Sequence, residues 1–361
     1  MKGEFTGIME WQEHMVPFGM AFGVSFCLVA AAEPLIIRFA MKRGLVDPPD
    51  WRKVHTGSVP RLGGIAFLPA LLVSAVVVRC FWPEYCEPQY WGLLGGLCVI
   101  WLVGLWDDLR DLRPPVKLAF QFLAGAILFW AGYRFQEIMN PLSYKVMQLG
   151  YVDFFMTLFA VAAIINAINM LDGLDGLASG CTFIMAAFLV INKFTQGDGP
   201  GAVMCVAVMG IAGAFLLFNF HPARIFMGDT GSMFLGLFLA SEILDAASRA
   251  TAMTTILLPL VILGIPIFDM VRLMVTRART SGKIFSADKN HVHHRLLTLG
   301  LSHRAVVLFM YGLNVYMGIM ALLYKHVDRD YRVLYMFNIA LFLFMSFYLI
   351  CRDHRSEPER K

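Results

Sequence analysis

GAVMCVAVMGIAGAFLLF, residues 201–218, runs eighteen positions without a charge, an amide or a hydroxyl. A helix needs about 20 such residues to cross the hydrocarbon core of a bilayer, and a helix on the surface of a soluble protein would carry a polar stripe. The segment is therefore read as a membrane span, and its glycines suit close packing against other helices.

Ten further stretches resemble it. They are Met15–Phe39, Leu62–Val78, Tyr90–Trp106, Val116–Gly132, Phe154–Ala167, Leu177–Asn192, Ser232–Ala247, Ala252–Val275, Ala305–Tyr324 and Val333–Cys351. The composition agrees: 58% of the 361 residues are hydrophobic and 16% charged, against about 25% charged in soluble domains. The expectation is an all-α, polytopic bundle of about eleven transmembrane helices forming one integral-membrane domain over 1–361. Its weakest spans are 154–167 and 232–247. A formal charge of +4 excludes a strongly basic nucleic-acid binder, so no nucleic-acid partner is expected. The seven cysteines form no CxxC or zinc-spaced set; Cys80 and Cys86 flank a short loop and can pair if it faces an oxidising compartment.

Eleven spans place the termini on opposite sides. Alternating the loops assigns 21 of the 30 Lys and Arg to one side and 9 to the other. The richer side is cytoplasmic by the positive-inside rule, which puts the N-terminus outside and the C-terminus inside. The polar loops 40–61, 107–117, 166–176, 219–231 and 276–304 all fall on that cytoplasmic side. Far apart in sequence and sharing one face, they read as one site.

The residue types suggest its chemistry. Asp107 and Asp108 end an apolar helix, where mutual repulsion can raise one pKa and create a base. Lys117, at the start of the next span, can hold an anionic headgroup or simply snorkel. Asn166, Asn169 and Asp172 repeat at i, i+3, i+6 and fall within roughly 120° of a helix face, with Asp175 following. Such oxygens are hard ligands suited to Mg²⁺. Phe226-Met-Gly-Asp229-Thr-Gly-Ser232 offers glycine-flanked amides at a helix start, an environment favourable to phosphate, yet it lacks the lysine of a P-loop. His291, His293, His294 and Arg295 suit a diphosphate or sugar hydroxyls better than a metal. His55 and Arg61 belong to another loop of the same side. Glu33, Glu242, Asp245 and Asp269 lie in or near spans, as a transporter's ion relay would require; Glu33 and Asp269 could instead pair with Arg38 and Arg272.

The stretches VDPPDWRKVHTGSVPRLGG, GLWDDLRDLRPPVKLAFQ, NAINMLDGLDGLASG, FMGDTGSMFLG and HVHHRL resemble, in order and across the whole chain, the polyprenyl-phosphate N-acetylhexosamine-1-phosphate transferase family. The HVHHRL and KVH…PRLGG loops look like the branch that makes lipid-linked GlcNAc for O-antigen, enterobacterial common antigen or teichoic acid. The three-His loop ending in an acidic residue, typical of phospho-MurNAc-pentapeptide translocases, does not occur here.

The resemblance implies a bacterial inner-membrane enzyme. It would use a UDP-N-acetylhexosamine, GlcNAc by default, and undecaprenyl phosphate, with Mg²⁺ (or Mn²⁺) as cofactor and UMP as product; a homodimer is compatible with it. By the same resemblance Asp229 and Asn169 look like metal ligands and Phe226 like a uracil platform. Lys117 looks like a phosphate-binding residue. Asp107 or Asp108 would be the base, or the nucleophile of a covalent route. His291, His293, His294 and Arg295 would hold the sugar diphosphate. Asp172 and Asp175 are implied in catalysis with roles left unseparated.

Overall fold

The computed structural model describes residues 2–47, 59–85, 87–139, 146–249, 263–271 and 292–352. Its helices are α1 (Lys2–Arg43), α2 (Phe67–Phe81, entered through the 3-10 turn Gly63–Ala66), α3 (Gln89–Arg110), α4 (Pro114–Trp130), α5 (Val152–Leu171), α6 (Leu177–Thr195), α7 (Gly199–Asn219), α8 (Gly228–Arg249), α9 (Val292–Thr298), α10 (His303–Leu323) and α11 (Arg332–Arg352). Ten of the eleven expected spans coincide with α1–α8, α10 and α11 to within about five residues at each end, except that α1 begins 13 residues before Met15. The span 252–275 falls mainly outside the described residues, of which 264–271 are helical. Among the described residues, seven helical segments are long and apolar enough to cross a membrane, and α4 and part of α11 are shorter apolar helices. The chain is a multi-pass helical membrane protein.

Two loops also contain short antiparallel pairs that the hydropathy reading did not anticipate. Val46–Asp47 (β1) pairs with Val59–Pro60 (β2), and Glu137–Met139 (β3) pairs with Val146–Gln148 (β4). They give loop backbone groups the partners that such groups require.

The least apolar of these expected spans lies deepest in the bundle. Every residue of α8 from Thr230 to Ala246 is buried, with α3 and α5 packed along it. A helix surrounded by protein need not be hydrophobic all round, which is why hydropathy is weak there. Close approach is built from small residues. A side chain at Gly104 of α3 would lie 2.5 Å from the Thr230 Cα, and one at Gly64 would collide with the Gly231 backbone. These contacts draw the ends of α2, α3 and α8 into one place.

The carboxylates of the transporter reading are placed elsewhere. Glu242 and Asp245, near the far end of α8, surround the buried Lys193 Nζ at 3.2 and 2.5 Å, with Asp198 at 3.0 Å. Glu33 does not pair with Arg38: its carboxyl oxygens are buried without a hydrogen-bond partner among the described residues. Asp269 accepts from the Val292 amide at 3.3 Å, steadying the start of α9; Arg272 lies outside the described residues.

Candidate active site

The turn between α3 and α4 is encoded locally. Arg110 ends α3, Asp111 takes a left-handed conformation, and the Pro114-Pro115 pair starts α4, where proline's missing N–H costs nothing. Asp107 Oδ1 accepts from the Leu112 amide at 2.7 Å and holds this turn closed. Lys117, one turn into α4, is thereby returned to Asp107, with Nζ 3.1 Å from Oδ2.

The same ammonium lies 2.8 Å from Asp229 Oδ2 at the start of α8. From α5, Asn169 Nδ2 donates to Asp229 Oδ1 at 3.0 Å and to Ser232 Oγ at 2.8 Å. Three sequence motifs from four helices therefore meet around Lys117 and Asp229. Asn166 does not join them: one turn deeper in α5, it donates to Gln121 of α4 at 2.7 Å.

The two adjacent aspartates have different surroundings. Asp108 Oδ1 accepts from the Asp229 amide at 2.8 Å, and Oδ2 accepts from the Thr230 amide at 3.0 Å and from the Thr230 hydroxyl. It caps α8 from a neighbouring helix. The expectation that these amides would cradle a substrate phosphate is corrected here, because the anion at this helix start is the chain's own carboxylate. Gly228 adopts φ +70° beside it, a conformation suited to glycine.

Asp172 follows the last residue of α5. Burial, reinforced by the negative charges of Asp229, Asp108 and Asp175, pushes its carboxyl well above the usual range. Asp175 points to a different neighbourhood: its Oδ2 meets His221 Nδ1 at 2.7 Å and the Ala223 amide at 3.1 Å. His303 stacks on His221 with ring centroids 4.1 Å apart and planes 17° from parallel. These side chains join the 172–176 turn, the 220–226 segment and α10.

Phe226 sits in an extended segment between the fully buried Ile225 and Met227. Its backbone pairs with Pro60 and Gly63 at 2.7 and 3.0 Å, leaving the ring partly exposed. His293 is buried and packs so closely on the 172–176 turn that a side chain at Gly173 would reach within 2.5 Å of its Nε2. His294 and Arg295 are half-buried beside it on α9. His291 and His55 lie outside the described residues.

Several organising residues carry no obvious sequence signal. Asn219 accepts from the Gly176 amide at 2.9 Å and donates to the Ile225 carbonyl at 2.9 Å, tying two motif loops together. His221 and His303 belong to short polar stretches, and nothing local to either announces the other.

The donor set suits a hard divalent cation. Asp107 and Asp229 share one ammonium, with Asn169 on Asp229 and the Asp172 charge nearby, and carboxylate and amide oxygens are the ligands such ions prefer. Asn169 exchanges its amide nitrogen for its oxygen by a half-turn about its terminal bond.

Comparison with known proteins fits this arrangement. The profile described as Glycosyl transferase family 4 matches residues 90–247, the segment from α3 to α8. A Bacillus subtilis protein named probable undecaprenyl-phosphate N-acetylglucosaminyl 1-phosphate transferase is 32% identical over 331 residues, 92% of this chain and 91% of that one. This chain belongs to glycosyl transferase family 4. Two other relatives are an Escherichia coli undecaprenyl-phosphate alpha-N-acetylglucosaminyl 1-phosphate transferase and a Mycobacterium tuberculosis decaprenyl-phosphate N-acetylglucosaminephosphotransferase. The first is 29% identical over 85% of this chain and 84% of its own length, the second 34% over 78% and 75%. The family 4 profile spans Asp107, Lys117, Asn169, Asp172 and Asp229, and ends before the histidines of α9.

Proposed function

We propose that this protein transfers N-acetylglucosamine-1-phosphate from its UDP-sugar to undecaprenyl phosphate, releasing UMP and starting a lipid-linked cell-envelope polysaccharide. The observation that carries the reading is the Lys117 ammonium between Asp107 and Asp229, with Asn169 on the far oxygen of Asp229. The names of the relatives in Bacillus subtilis and Escherichia coli support the substrates.

Two anionic phosphates must approach each other, so positive charge is the first requirement. Lys117 supplies part of it to the incoming phosphate. Asp229 and Asn169 would hold Mg²⁺, or Mn²⁺ in its place, which when bound offsets the charge of the UDP diphosphate. Asp107 takes the proton of the acceptor phosphate. That group has a second pKa of about 6, by analogy with phosphorylated side chains, so a carboxylate is a strong enough base. Asp108 positions Asp229 through the start of α8. Phe226 offers an aromatic face to uracil, and His293, His294 and Arg295 border the place of the sugar diphosphate. The site opens on the cytoplasmic face of the bacterial inner membrane, where nucleotide sugar and lipid phosphate meet without extraction of the lipid.

The test is incubation of the purified protein with undecaprenyl phosphate and a panel of UDP-sugars. UMP and a lipid-diphospho-sugar are expected, and excess UMP should reverse the reaction. Release of UDP, or sugar uptake into sealed vesicles without a lipid product, would overturn the proposal.

A further inference from the structure

At the end of the bundle opposite the Asp229 cluster, a groove runs between the last turns of α2 and the first turns of α3 and α7. Its enclosed space is about 60 Å³, so it can grip part of a hydrocarbon chain and leave the rest in the surrounding lipid. Leu72, Val76, Leu94 and Met204 line its interior, and Arg79 and Trp91 stand at its rim. Leu72, Val76 and Trp91 are exposed at 37%, 57% and 58%, so the groove opens sideways, toward the space that lipid fills around a membrane protein.

Its two parts differ in chemistry. The interior has no charged lining residue, and hydrocarbon suits it. At the rim the Arg79 guanidinium lies 5.3 Å from the centroid of the Trp91 ring. Among the described residues no carboxylate forms an ion pair with it. An arginine beside tryptophan is the pairing found at headgroup level, where amphipathic side chains bridge hydrocarbon and water. An apolar slot ending in an unneutralised cation is complementary to an acyl chain ending in an anion.

We propose that this groove binds one anionic phospholipid, with an acyl chain between α2, α3 and α7 and the headgroup phosphate on Arg79. It is distinct from the acceptor site. Arg79 lies in the last turn of α2, whereas the Gly64 contact that brings this segment to Asp229 lies before its first turn. The inference does not depend on the reaction proposed above.

The test uses the whole protein in vesicles of phosphatidylcholine with phosphatidylglycerol at equal mole fraction, followed by gentle extraction and mass analysis of the retained lipid. Retention of phosphatidylglycerol over phosphatidylcholine should be about fivefold, as one basic residue near a membrane surface provides. Arg79→Gln should bring the ratio near one, Arg79→Lys should preserve it, and Val76→Trp should lower retention of both lipids by filling the slot. Transferase turnover should be unchanged in all three variants. Equal retention of the two lipids by the parent protein would overturn the proposal. So would an undiminished preference in Arg79→Gln, or replacement of phosphatidylglycerol by undecaprenyl phosphate at this groove.

Discussion

Substituting Asp108 by Asn separates the roles of the two adjacent carboxylates. Asp108 accepts three hydrogen bonds from the start of α8, two from the backbone amides of Asp229 and Thr230 and one from the Thr230 hydroxyl. Asparagine has only one acceptor oxygen, and its NH2 group would face donors. At least one donor then loses its partner beside Thr230, a residue with no solvent exposure. An unsatisfied buried donor costs about 1–3 kcal/mol. The remaining bonds lose their ionic character, roughly half their strength. The expected loss is about 2–4 kcal/mol. At about 2 °C per kcal/mol for a chain of this size or somewhat smaller, Tm should fall by roughly 4–8 °C. Turnover should fall as well, because Asp229 is carried on the displaced helix start. Asp107→Asn should abolish turnover with a smaller fall in Tm, since it retains an oxygen for the Leu112 amide. The assay is a thermal melt in detergent alongside UMP release. If Asp108→Asn melts like the parent yet is as inactive as Asp107→Asn, the capping argument fails and Asp108 belongs to the chemistry.

Chelation by EDTA should abolish UMP release, and Mg²⁺ or Mn²⁺ should restore it. Asp229→Asn should lose metal-dependent nucleotide binding, and full activity in that variant would remove the centre of the site. The raised Asp172 carboxyl gives a signed stability prediction. The folded state prefers this group protonated, so its ionisation costs stability as pH rises above the unfolded value. Asp172→Asn mimics the protonated form and should raise Tm at pH 8, with little change at pH 4. An equal change at both pH values would refute the repulsion. Cysteines placed at Asp111 and Ala223 in a Cys-depleted variant should resist a membrane-impermeant thiol reagent in intact cells, while those at Gln89, Gln196 and Asp328 should react. The reverse pattern would invert the orientation and with it the proposed reaction.

The sequence by itself showed a multi-pass helical membrane chain and the polar motifs from which a candidate site is assembled. Hydropathy is a local property, and lipid imposes a length and a polarity that can be read off consecutive residues. For that reason even the doubtful stretches 154–167 and 232–247 coincide with helices, Val152–Leu171 and Gly228–Arg249. The motif residues were legible because a charge or amide at the end of an apolar helix is expensive unless it is used. What local sequence does not contain is the partner. Asp107 and Asp108 are neighbours with the same side chain, but successive helix residues point about 100° apart. One therefore reaches Lys117 and the other the start of α8. Asn166 and Asn169 share a helix face, and a single turn decides whether the amide meets Gln121 or Asp229. Asp175 and Asp172 belong to one short motif, yet His221 and Ala223 engage the first while the second remains close to Asp229. Those assignments depend on which helices touch, and at what depth. Glycines such as Gly64 and Gly104 set that by admitting backbone contact between segments far apart in the chain. The local sequence shows that a small residue is present; only the tertiary structure shows what it lets in.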